Sequence, residues 1–74
     1  MDTDNLVHMA NRIGEFFQAM PDADEAAAEI TQHLRKFWEP RMRRQLLGHL
    51  DAADGAGLST LVRSALLRHR QALT

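Results

Sequence analysis

The stretch Phe37-Trp38-Glu39-Pro40-Arg41-Met42-Arg43-Arg44 decides how this chain folds, because it cannot be one continuous helix. Proline disfavours helical geometry at the residue before it, so a helix arriving from the N-terminal side has to stop by Glu39. Proline also suits the first position of a new helix, where its missing N–H costs nothing. The stretch therefore reads as a corner. One helix ends in an aromatic pair and another begins at Pro40.

Upstream of the corner, Ala26, Ala27, Ile30, Leu34, Phe37 and Trp38 recur at helical spacing within about one-third of a helix circumference. Asp22 with Glu25 has the pattern of a capping box, just after Pro21. An earlier helix is predicted from about Asn5 to Ala19, with Thr3 or Asp4 as its cap. Its stripe is Leu6, Met9, Ala10, Ile13, Phe16, Phe17 and Met20. Gly14 lies at the edge of that stripe. A glycine there costs ~1 kcal/mol relative to alanine, which close approach of a neighbouring backbone would offset.

Downstream, the helix starting at Pro40 is predicted to reach about Leu50, with Met42, Leu46, Leu47 and Leu50 as its apolar face. Asp51-Ala52-Ala53-Asp54-Gly55-Ala56-Gly57 reads as a loop, since glycine and aspartate favour turn geometry. Ser59 then caps a last helix, about Thr60 to Ala72. Its stripe is Leu61, Val62, Ala65, Leu66, His69, Ala72 and Leu73, with Leu67 on the opposite side. No strand alternation appears. The expected fold is all-α, a single domain over residues 1–74 built as a small bundle of about four amphipathic helices with short links.

A chain of 74 residues buries only roughly 60% of its unfolded surface, so its stability is marginal. Such domains usually add a disulfide, a metal or a partner. Cysteine is absent, which excludes disulfides and thiolate metal sites. No apolar run approaches the roughly 18 residues that span a membrane, and no charged-then-apolar leader is visible. The expectation is a soluble cytoplasmic protein stabilised by a partner protein, with no membrane contact.

Charge is unevenly spread. Residues 1–30 carry seven carboxylates against Arg12 alone, whereas residues 31–74 carry eight cations against Glu39, Asp51 and Asp54. The two halves can attract one another within the fold.

Catalytic patterns are missing. His8, His33, His49 and His69 show no metal-ligand spacing, and a zinc site needs three or four convergent ligands. His69 falls within an apolar stripe and is expected to be hydrogen-bonded and partly buried near a helix C-terminus, where its positive form is favoured. Ser59 has a sufficient task as a cap. Gly55-Ala56-Gly57 lacks the remainder of any phosphate-binding fingerprint. The chain is not expected to be an enzyme on its own.

The basic corner is the informative feature. Arg35, Lys36, Arg41, Arg43 and Arg44 crowd into ten residues against Glu39 alone. Arg35 and Lys36 suit a helix C-terminus. The other three occupy a helix N-terminus, where each cation costs ~0.3–1 kcal/mol, and a local rule broken without visible compensation often marks function. On a helical wheel Arg43 projects between Leu47 and Leu50, so it should snorkel or pair with a carboxylate. Arg41 and Arg44 point outward. Trp38 is the only tryptophan. Tryptophan and arginine dominate protein–protein hot spots, though Trp38 also fits as a plug between two helices. Trp38, Arg41, Arg43 and Arg44 are the candidate partner-binding residues. Arginine clusters also bind phosphate, which makes a small nucleic-acid-binding module an alternative. A net charge of −1 and a pI near 6.4 give a poor field for it.

These residues also carry a family resemblance. Met9-Ala10-Asn11-Arg12-Ile13-Gly14-Glu15-Phe16-Phe17, Pro21 followed by an Ala-rich acidic helix, and His33-Leu34-Arg35-Lys36-Phe37-Trp38-Glu39-Pro40-Arg41-Met42-Arg43 resemble the delta subunit of soluble NAD-dependent formate dehydrogenases. Gly57-Leu58-Ser59 and Leu61-Val62 resemble its last helix. The resemblance implies a cytoplasmic complex. In it a catalytic alpha subunit carries a molybdenum or tungsten pterin cofactor and iron–sulfur clusters, while beta and gamma subunits carry the flavin, further clusters and the NAD site. It further implies that the delta chain holds no cofactor and either stabilises the assembly or, alternatively, assists insertion or retention of the pterin cofactor.

Overall fold

The computed structural model describes residues 2–74. Among them five helices follow in order: α1 (Thr3–Phe17), α2 (Ala23–Phe37), α3 (Pro40–Ala53), α4 (Thr60–Arg68) and α5 (Arg70–Leu73). No strand occurs among the described residues, so the all-α expectation holds.

The corner forms as proline chemistry requires. The Trp38 N–H donates to Leu34 O at 3.0 Å and closes α2, Trp38 and Glu39 are extended, and Pro40 takes the first turn of α3. Asp22 caps α2 by accepting from the Asp24 N–H at 2.8 Å and the Glu25 N–H at 3.4 Å. Ser59 Oγ accepts from the Val62 N–H at 3.3 Å at the start of α4.

Four boundaries differ from expectation, the smallest being the end of α1 at Phe17, ahead of the predicted Ala19. Asp2 caps α1, its carboxylate accepting from the Asp4 N–H at 3.0 Å, so the helix starts ahead of the predicted Thr3 or Asp4 cap. Helix α3 continues through Ala52 and Ala53 and stops at Asp54, whose φ of 56° is left-handed; alanine extends a helix readily, and the predicted loop shortens accordingly. The last predicted helix breaks at His69, with φ −118° and ψ 26°. Beyond the break Arg70 makes a bidentate pair with Asp51 of α3, at 2.8 and 2.6 Å. The final turn thus leans on α3, Leu73 is buried, and Ala72, on the flank of its stripe, is exposed.

Helix α2 packs against every other helix. Leu6, Ile30, Leu34, Leu46, Val62 and Leu66 are fully buried around it. Helix α4 approaches α1 closely at Gly14. A Cβ at that position would stand 2.5 Å from Val62 Cγ2, so it is a side chain, rather than a backbone, that fills the space glycine leaves. One turn earlier, the Asn11 side chain bridges α1 to the segment that precedes α4. Its amide nitrogen donates to Gly57 O and its amide oxygen accepts from the Ser59 N–H, both at 2.9 Å. The turn between α3 and α4 is thereby held against α1.

Opposite charges join the halves of the chain sparingly. Arg68 pairs with Asp24 at 2.6 Å, whereas Arg63 pairs with Asp54 and Arg70 with Asp51 inside the C-terminal half.

Candidate functional site

The helix break at Trp38 divides the corner into an inside and an outside. Trp38 is 6% exposed and belongs to the core. Phe37, expected beside it in the α2 stripe, is 68% exposed. The extended backbone at Trp38 turns only one of two adjacent aromatics inward, and the tryptophan takes that place.

Arg43 is half-buried. Its Nη1 donates to the backbone oxygen of Arg35 at 2.8 Å. That oxygen lies among the last four carbonyls of α2, which have no partner within the helix. Of the two expectations, snorkelling or a carboxylate pair, the second is not met among the described residues, and a backbone carbonyl takes the carboxylate's place. A cation unfavourable at the start of α3 becomes favourable at the end of α2, where the helix dipole is negative. Its Nε is buried without a partner among the described residues.

Arg41 and Arg44 are exposed. Among the described residues neither makes an ion pair or a side-chain hydrogen bond, and the side chains of Arg35 and Lys36 are likewise unengaged. Arg35 and Lys36 sit favourably at the C-terminal end of α2, whereas nothing among the described residues compensates Arg41 and Arg44.

A second feature lies alongside. Phe16 is 78% exposed, although the periodicity places it in the core stripe. Two residues past buried Gly14, Phe16 sits about 160° around a helix that turns about 100° per residue. The α1 stripe holds more apolar side chains than one buried face accommodates, and that excess is the signal in the sequence for an outward aromatic. Phe16 and Phe17 meet edge to face with ring centroids 5.0 Å apart. The Phe17 ring is 6.4 Å from His33, and His33 is 4.8 Å from Phe37. A ribbon of rings thus crosses from α1 to the end of α2. Beside it an open groove of about 300 Å³ is lined by Arg12, Ile13, Phe16, Phe17 and His33.

Three further titratable groups, His49, His69 and Arg70, lie in the C-terminal half. His49 Nε2 lies 2.8 Å from Ala56 O, which requires the proton on Nε2. His69, expected to be hydrogen-bonded, has a buried Nε2 with no partner among the described residues. The hydrogen bonds that Arg70 donates to the Asp51 carboxylate hold its guanidinium above its usual pKa, against a smaller opposing effect of desolvation. Among the described residues no three histidine, aspartate or glutamate side chains converge as metal ligands would. No helix of the described residues is long and apolar enough to cross a membrane.

Exposed rings thus lie near cations that are unpaired among the described residues. A family model described as "NADH-dependant formate dehydrogenase delta subunit FdsD" matches residues 5–66, a span that holds both the ribbon and the corner. No curated protein and no solved structure matches the chain.

Proposed function

Because the chain belongs to the family of NADH-dependent formate dehydrogenase delta subunits, we propose that it is a non-catalytic accessory subunit of such a complex. It docks on the catalytic alpha subunit and stabilises the assembly with the beta and gamma subunits. It carries no cofactor of its own and works in the cytoplasm. The observation that supports docking most strongly is the pair Arg41 and Arg44, exposed without partners among the described residues at a helix N-terminus that disfavours them. Such a pair is accounted for when carboxylates of another chain complete it.

The four corner residues divide the work. Trp38 fills the core and sets the turn, Arg43 fastens α3 to the end of α2, and Arg41 and Arg44 are thereby presented to the partner. The test is affinity capture of the tagged full chain from its native host, read by mass spectrometry. Stoichiometric recovery of the catalytic subunit is expected, and Arg41→Glu with Arg44→Glu should abolish it. Capture without any formate dehydrogenase subunit contradicts the function. Undiminished capture by the charge-reversed chain contradicts the assignment of the corner.

A further inference from the structure

We infer that the groove between α1 and α2 is the second half of the docking surface, and that it receives an apolar segment of the partner protein flanked by carboxylates. This inference rests on the docking reading above and adds the place and chemistry of the occupant.

The groove is too shallow for an enclosed ligand. Its volume of about 300 Å³ is at the lower limit of small-molecule pockets, roughly 300–1,000 Å³, and it lies open on one side. Phe16 lines it, and Phe37 packs 4.8 Å from the lining residue His33; both are exposed over most of their surface. A few large aromatic side chains surrounded by a charged rim is the anatomy of a protein-binding hot spot, and clustered exposed apolar surface on a small soluble chain marks an interaction site.

Charge identifies the occupant. The cations remote from the groove are already used: Arg63, Arg68 and Arg70 pair with Asp54, Asp24 and Asp51. The unused cations lie on the elements that carry the rings, α1 and α2, and on the start of α3 just past the corner. Arg12 lines the groove, Arg35 and Lys36 flank Phe37, and Arg41 and Arg44 follow on α3. Glu29, His33 and Phe37 lie at successive turns of one α2 face. That face of α2 therefore runs from a carboxylate at Glu29, one turn before the groove residue His33, towards the basic corner. This polarity sets the direction of the occupant, with its carboxylates over Arg41 and Arg44 and its apolar side chains between Phe16 and Phe37.

The experiment measures affinity of the full chain for formate dehydrogenase prepared without its delta chain. Wild type is compared with Phe16→Ser/Phe37→Ser, Phe37→Ser alone, Arg41→Glu/Arg44→Glu and Leu67→Ser, the last removing an exposed apolar side chain of α4. The double ring variant and the charge reversal are each expected to weaken binding by roughly tenfold or more, and Leu67→Ser by less than about threefold. Circular dichroism checks folding, and Phe37→Ser alone serves if the double variant loses helicity. Wild-type affinity should also fall as salt is raised, and less so for the charge-reversed chain. If the ring variants bind like wild type while charge reversal does not, the groove inference fails and docking stands. If wild type does not bind, docking itself fails. Salt-independent affinity overturns the acidic occupant. A wild-type dimer by light scattering that Phe16→Ser/Phe37→Ser converts to monomer assigns the groove to a second copy and overturns the inference.

Discussion

Arg43 and Arg41 show how one residue type in one turn can serve opposite ends. Arg43 bonds to the terminal carbonyl of Arg35, so Arg43→Ala should destabilise the chain by about 0.5–1.5 kcal/mol in urea denaturation. Arg41 has no such partner among the described residues and faces the positive end of α3. Arg41→Glu should therefore stabilise the isolated chain by about 0.3–1 kcal/mol while weakening association. A residue kept against its own helix for a partner has that signature, and a merely solvated arginine does not. Gly14→Ala tests packing in the same way. Alanine favours the helix by ~1 kcal/mol, yet its methyl would meet Val62, and overpacking costs typically about 1–3 kcal/mol. The net expectation is a lowered melting temperature. Arg70 bears on pH. Its pKa is raised, so what it contributes to stability is fully present below the ordinary arginine pKa, and its titration removes nothing between neutral and moderately alkaline conditions.

At the scale of elements, what was legible in the sequence was whatever local chemistry dictates. Pro40, Asp22 and Ser59 each act within a turn of their own position, and all three place a helix start where the pattern puts it. The failures are tertiary. Phe16 and Phe37 fit an apolar periodicity, but Gly14 against Val62 and Trp38 in the core settle which flank of each helix is covered. The break at His69 accompanies the Arg70–Asp51 pair, made across 19 residues, which no spacing rule along α4 reveals. Asn11 is of the same kind. Its two hydrogen bonds reach Gly57 and Ser59, 46 and 48 residues away, and nothing about Asn11 within α1 signals them. Asn11→Ala should cost about 1–3 kcal/mol for the two bonds together, and should raise hydrogen exchange selectively in the turn between α3 and α4.

For the whole molecule, one small core centred on α2 supports a surface whose two sides differ. Ion pairs involving Asp24, Asp51 and Asp54 neutralise the side bearing α4 and α5, while the rings and unpaired cations concentrate on α1, the end of α2 and the start of α3. Because Trp38 is part of the core, Trp38→Ala should cost about 3–5 kcal/mol, enough to unfold a chain of this size on its own and be rescued in part by the bound partner. The most direct measurement is photo-crosslinking in the native host, with a photoreactive side chain placed at position 44 or, separately, at position 71 on α5; Gln71, like Arg44, is exposed. Docking through the corner predicts a crosslink from position 44 to the catalytic subunit of formate dehydrogenase and none from position 71. A crosslink to that subunit from position 71 alone would contradict it.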